Sequence, residues 1–320
     1  MSRDRILSVT LLLSLVVILL GAYTRLKDAG LGCPDWPGCY GYAFMPTSEA
    51  EIQEAEASFP LARPVVTEKA LPEMVHRYLA GFFGLLCVSI AAYHIAHKKH
   101  RVAASFLAVL IAFQATLGLW TVTLKLHPVV VLLHLFGGFS ISTILLWLLL
   151  GNKRESTPFD KWAFLILGVI LTQVFFGAWT SANYSSIICP DFPFCQGSLL
   201  PEMSFSTAFN IFLPFGDNYE FGILDNISRV TIHMTHRYFA VITSFGIITF
   251  LYMAYYSNAI KLKTALLVLS ILSAQVLLGI LNILYLIPIP IALAHNIGGL
   301  LLLLSWIWLT HSLSNNHSTT

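Results

Sequence analysis

Residues 129–150 read VVVLLHLFGGFSISTILLWLLL, a run with no residue that is charged at neutral pH and one ionisable ring, His134. About 20 apolar residues in a helix span the roughly 30 Å hydrocarbon core of a bilayer, so this run predicts a membrane-crossing helix. Working outward, seven more stretches qualify: about 6–24, 75–96, 103–124, 162–182, 230–256, 263–286 and 289–311. The chain of 320 residues is 57% hydrophobic and 11% charged, which excludes a soluble globular protein and a disordered chain. A net charge of +2 excludes an electrostatic nucleic-acid binder. The first run follows Arg3 and Arg5 but continues into Gly21, Ala22 and Tyr23 without a small-x-small cleavage pattern, and reads as a retained helix. The expected fold is an all-α integral membrane protein with eight transmembrane helices.

Loop charge orients it. One set of segments holds Arg3, Arg5, Lys98, Lys99, Arg101, Lys153, Arg154, Lys161, Lys261 and Lys263 against Asp4, Glu155 and Asp160, ten basic to three acidic residues. The other set holds the remaining eight basic and thirteen acidic residues. Lys and Arg concentrate on the cytoplasmic side, so both termini are expected inside and the long segments 25–72 and 183–228 outside.

Those outer segments repeat a phrase. Cys33-Pro34-Asp35-Trp36-Pro37-Gly38-Cys39-Tyr40-Gly41 recurs as Cys189-Pro190-Asp191-Phe192-Pro193-Phe194-Cys195-Gln196-Gly197, 156 residues later. His76-Arg77-Tyr78 recurs as His236-Arg237-Tyr238, Gln114–Gly118 as Gln275–Gly279, and His134 with Gly137 and Gly138 as His295 with Gly298 and Gly299. The chain therefore reads as two pseudo-symmetric four-helix bundles, 1–157 and 158–320, in parallel orientation.

Of eleven histidines, His76, His134, His236 and His295 recur in register in apolar helices. A single such ring is ordinarily a hydrogen-bonded core residue. Two per half, on helices entering from the same face, suit the axial imidazoles of a haem clamped between facing helices. Gly137, Gly138, Gly298 and Gly299 would let a porphyrin approach the backbone, or serve only helix packing. Arg77 and Arg237 could pair with propionates, or snorkel to the interface. His94, His97, His100, His127, His311 and His317, at helix ends or in tails, read as solvated or interfacial. Two histidines per half are thin for bare zinc; His233, one turn before His236, is the one neighbour worth weighing, as a partner or as a tuning residue.

The repeat places Glu73 where the second half has His233. Glu73 lies one turn before His76, so carboxylate and imidazole share a face. It reads either as an acid stabilised in the first turn of a helix that starts after Pro72, or as an acid/base beside the macrocycle of one half only. The four outer cysteines allow three disulfide connectivities, of which the shared phrase favours Cys33 with Cys39 and Cys189 with Cys195; a redox-active role is the lesser reading. Cys87 reads as a buried apolar residue, and Glu49, Glu51, Glu54 and Glu56 as a solvated loop face.

Taken together, Glu73-Met74-Val75-His76-Arg77, the cysteine pairs, His236-Arg237, and the two histidines followed by glycines resemble the haem A synthase family across essentially the whole chain. The resemblance implies oxidation of the C8 methyl of haem O, through a hydroxymethyl intermediate, to the formyl group of haem A. It implies the substrate at His76 and His134, haem b at His236 and His295, and Glu73 as the catalytic acid/base. It also implies a bacterial inner-membrane location, contact with lipid, with haem O synthase and with terminal oxidase assembly, and admits a homo-oligomer. The rival readings are a di-haem b electron carrier and, further off, a membrane thiol oxidase using the cysteine pairs.

Overall fold

The computed structural model describes residues 3–151 and 157–313. Lys153, Arg154 and Glu155, counted above with the inner loops, and His317 lie outside the described residues. Among the described residues, eight helices are long and apolar enough to cross a membrane. They are α1 (Arg3–Leu26), α3 (Thr67–Ala96), α4 (Arg101–Thr123), α5 (Pro128–Leu150), α6 (Asp160–Ala182), α8 (Asn226–Tyr256), α9 (Leu262–Leu284) and α10 (Ile289–Leu313). The protein is a multi-pass, all-α membrane protein. Side chains such as Leu85, Val102, Val241 and Phe245 stand exposed on these helices, as lipid-facing residues do. Two short helices, α2 (Glu49–Ser58) and α7 (Phe205–Ala208), lie in the long segments.

Two helices begin earlier than their apolar stretches. The hydropathy pattern starts at about 75 and 230, whereas α3 starts at Thr67 and α8 at Asn226. With 30 and 31 residues these helices are about 45 Å long, well over the hydrocarbon thickness. Their polar first turns are supported by other means: Asp225 caps α8 by accepting from Ser228 N at 2.7 Å, and α3 packs on the first cysteine loop. Glu73 therefore falls in the second turn of α3, which removes the first-turn dipole reading of that acid.

The acidic stretch is a helix, α2, rather than a loop face. Ser48 and Glu51 form a reciprocal capping box, and backbone hydrogen bonds from Ser48 and Thr47 hold the Glu51 carboxyl down at about 2. The Ser48-x-x-Glu51 signature of that cap is legible in the sequence.

The chain divides into two compact units. One runs to Leu145 and takes in Ile211–Ile223; the other comprises Leu146–Asn210 and the chain from Leu224. In the first, α1 packs on α3 and α3 on α4, and Ser142 of α5 donates to Ser14 of α1 at 2.9 Å. In the second, α6 packs on α8 and α9 on α10, and the Trp306 indole donates to the Ala163 carbonyl at 3.0 Å. Segment Ile211–Ile223 comes from the second outer loop, yet it docks on the α4–α5 turn. Tyr219 N donates to Lys125 O at 3.0 Å, the His127 ring stacks on Phe215 and meets Tyr219 edge-on, and Glu220 pairs with Arg63. His127 is buried here, as are His94 and His311, contrary to the solvated reading of these three.

Candidate functional site

Both cysteine loops close on themselves. Disulfides join Cys33 to Cys39 and Cys189 to Cys195, and in each loop an aspartate folds the turn. Asp35 accepts from Tyr40 N at 2.6 Å and Gly41 N at 2.8 Å, while Asp191 accepts from Gln196 N and Gly197 N, both at 2.8 Å. Those amides, Gly197 first, hold the Asp191 carboxyl below its ordinary range. The chain turns through positive φ at Tyr40 and Gly41 and again at Gln196 and Gly197.

Arg77 and Arg237 reach back from their helices to these loops. Arg77 Nη1 donates to the carbonyls of Asp35 at 2.8 Å and Gly38 at 2.5 Å. Arg237 donates to the carbonyls of Asp191, Phe194 and Cys189 at 3.0, 2.8 and 2.8 Å. Arg77 Nη1 and both terminal nitrogens of Arg237 thus serve loop carbonyls in this structure.

Glu73 belongs to the same arrangement. It is 4% exposed; Oε1 accepts from Arg77 Nη2 at 2.6 Å and Oε2 from Cys33 N at 2.9 Å. The carboxylate joins the helix that carries His76 to the disulfide loop. In the second unit His233, 5% exposed, takes the corresponding position with Nδ1 at 2.9 Å from the Ser185 carbonyl. No cluster of three or more metal-ligating side chains exists among the described residues, so the His233–His236 pair lacks the further ligand a bare metal ion would need.

All four repeated histidines are half-buried, and each lies against a glycine of a neighbouring helix. A Cβ at Gly21 of α1 would stand 2.9 Å from His76 Cε1, and one at Gly177 of α6 would stand 3.0 Å from His236 Cε1. At Gly279 of α9 it would stand 3.1 Å from His295 Cε1, and at Gly118 of α4 3.6 Å from His134 Cε1. Gln114 Nε2 donates to His134 O at 2.7 Å, and Gln173 Nε2 lies 3.1 Å from His236 Nδ1.

Two imidazoles per unit, half-open and seated on backbone that carries no side chain, fit the donor set of a bis-histidine haem site. Gly118 and Gly279 belong to the quoted repeat, but Gly21 and Gly177 were not singled out. Their signal was available, because they are 156 residues apart, the same offset as the cysteine phrases. Of the four glycines expected to admit a porphyrin, Gly137 and Gly298 also leave room for a glutamine: a Cβ there would strike the side-chain amide of Gln114 or Gln275, respectively.

The platforms differ in tolerance, which makes a test within one unit. Gly21→Ala is expected to push the His76 ring aside and lower product formation on the order of tenfold to a hundredfold, the scale of an ångström misplacement. Gly118→Ala, at ordinary contact distance, is expected to stay near wild type. Equal activity in the two variants, measured at matched protein levels, would contradict the platform role.

The comparisons with known proteins agree with this architecture. The model of the cytochrome oxidase assembly protein family matches residues 4–307. The haem A synthase of Shewanella oneidensis is 41% identical over 327 residues, covering 98% of each chain. Those of Maricaulis maris and Alkalihalophilus pseudofirmus are each 24% identical, covering 91% and 74% of this chain and 90% and 78% of their own. Matched by the family model over residues 4–307 and 41% identical to a haem A synthase along almost its whole length, this chain belongs to the haem A synthase family of cytochrome oxidase assembly proteins.

Proposed function

We propose that this protein is a haem A synthase that oxidises the C8 methyl of haem O, through a hydroxymethyl intermediate, to the formyl group of haem A. The observation that carries the assignment of the halves is an asymmetry. Both units seat two imidazoles on glycine platforms, but only the first places a buried carboxylate, Glu73, one turn before its first histidine.

In this reading His76 and His134 of the half 1–157 hold the substrate, and His236 and His295 of the half 158–320 hold haem b. When bound, haem b supplies a one-electron relay. Glu73 handles protons at the rim of the substrate site. Because its two oxygens accept from Arg77 and Cys33 N, any change of protonation there is felt by the disulfide loop. Arg77 and Arg237 contribute to macrocycle binding through the loops they hold. The disulfides suit an oxidising compartment, which supports a bacterial inner-membrane protein with both termini cytoplasmic and the cysteine loops outside. Haem O synthase and terminal oxidase assembly are the partners its substrate and product call for, and a homo-oligomer is compatible with the reading.

The test is to purify the protein in mild detergent from cells that make haem O and to identify the extracted haems by chromatography and mass. Haem b together with haem O, its hydroxylated form or haem A is expected. Haem b alone would favour a di-haem electron carrier, and no haem would overturn the four-histidine assignment.

A further inference from the structure

Helix α4 holds His134 at two points. Gly118 seats the ring, and Gln114, one turn earlier on the same face, donates from Nε2 to the His134 main-chain carbonyl at 2.7 Å. A helical carbonyl has a second lone pair, so it can take this bond beside its own helix bond. The iron-facing nitrogen of an axial imidazole is aimed by both ends of the side chain, and here one neighbouring helix fixes both.

The glutamine amide reaches that carbonyl because α5 has no side chain at Gly137. A Cβ there would overlap Gln114 Oε1 and stand 3.0 Å from Cδ. The second unit repeats the slot at an offset of 161: a Cβ at Gly298 would overlap Gln275 Oε1, and Gln275 stands one turn before Gly279, the platform of His295. There the amide turns to the ring, with Nε2 3.5 Å from His295 Nε2. Gln173 likewise stands one turn before Gly177 and donates to the His236 carbonyl at 3.2 Å. A Gln-x-x-x-Gly phrase thus leads into three of the four platforms, at 114–118, 173–177 and 275–279; the exception is Gly21, preceded by Val17.

Packing alone does not call for an amide in the Gly137 slot. Gln114 Oε1 is buried without a hydrogen-bond partner, an unfavourable state that a methionine filling similar space would avoid. What the glutamine adds is the donor at His134 O. Between helices in a bilayer, where apolar contact with a neighbour gains little over contact with lipid, such a bond is a directional tie.

We propose that Gln114 is a positioning residue that aims His134 through its main chain, and that the missing side chain of Gly137 serves to admit the Gln114 amide. The inference rests on the substrate macrocycle binding at His76 and His134.

The test is a double-mutant cycle in full-length protein, loaded in cells that make haem O and purified in detergent. It follows the transfer of haem O and haem A to excess apomyoglobin, with haem b followed in the same samples. Gln114→Ala and Gly137→Ala are each expected to speed release of haem O and haem A about tenfold, the scale of losing an outer partner of a histidine ligand, with haem b release unchanged. Combined, the two substitutions should do no more than either alone, because both remove the same bond. Gln114→Met, which keeps the volume but not the donor, should match Gln114→Ala.

Single effects that multiply to about a hundredfold in the double variant would show that Gly137 acts apart from Gln114, as a glycine admitting the macrocycle would, and would overturn the slot. Wild-type release in Gln114→Met or in Gly137→Ala overturns the inference, and so does haem b released faster in step, which would mark a general loosening of the fold. If Gly137→Ala does not accumulate, the double variant is compared with Gln114→Ala: equal release is expected, and faster release overturns the slot. His134→Ala separates the levels, since retention of haem O and haem A that survives it defeats the site assignment itself. Retention that is lost in His134→Ala but indifferent to Gln114→Ala and Gln114→Met defeats only this inference.

Discussion

On the proposed assignment, Glu73→Gln is expected to lower haem A formation by roughly 10²–10⁴-fold, the range that general acid–base catalysis contributes, while the haem b assigned to the other half keeps its spectrum. Glutamine has the size of glutamate and can still accept from Cys33 N through its one oxygen, so the tie to the disulfide loop is largely kept while the titratable group is lost. Glu73→Ala removes the tie as well. It leaves Arg77 Nη2 and Cys33 N without the acceptors they have at 2.6 and 2.9 Å, and breaking a buried pair in this way typically costs about 3–5 kcal/mol. Both variants break the ion pair with Arg77 and should lose some stability, the alanine variant more because it also leaves Cys33 N without its acceptor. Thermal unfolding beside product analysis distinguishes them. Wild-type haem A formation in Glu73→Gln would remove Glu73 from the chemistry and leave it as a clamp on the Cys33–Cys39 loop.

The second large effect is reciprocal. On the proposed assignment His236→Ala should reduce retained haem b to background in protein that still inserts, because it removes an axial donor, which methionine would partly replace, and the ring seated on Gly177. His76→Met, seated on Gly21, should spare the haem b spectrum and abolish product. Absorption spectra of the reduced proteins, compared at equal protein, read both outcomes. A spectrum lost to the same extent in both variants would refute separate sites in the two halves.

Much of this was legible from the residues in order. A crossing requires about 20 apolar positions and a repeat requires only a shared offset, so the eight spans and the paired His76, His134, His236 and His295 are properties of sequence. The Cys33–Cys39 and Cys189–Cys195 pairings were favoured by the shared phrase, and the structure closes those rings. The early starts of α3 and α8 were hidden because hydropathy detects what lipid surrounds, whereas their first turns rest on a cap and on loop packing.

What each functional side chain touches was decided by tertiary structure. Glu73 meets Cys33, 40 residues away, and His127 meets the 211–223 segment, 86 residues beyond it at Leu213. Gly21 and Gly177 became platforms because α1 packs on α3 and α6 on α8. The sequence by itself determined how many helices there are, how they repeat and which histidines recur, because the bilayer and the repeat act on residue type and spacing. Only the tertiary structure decided that each recurring ring is seated on a glycine of a neighbouring helix and that Glu73 ties its helix to the Cys33–Cys39 loop, because packing and hydrogen bonding depend on ångström distances between helices that spacing along the chain does not encode.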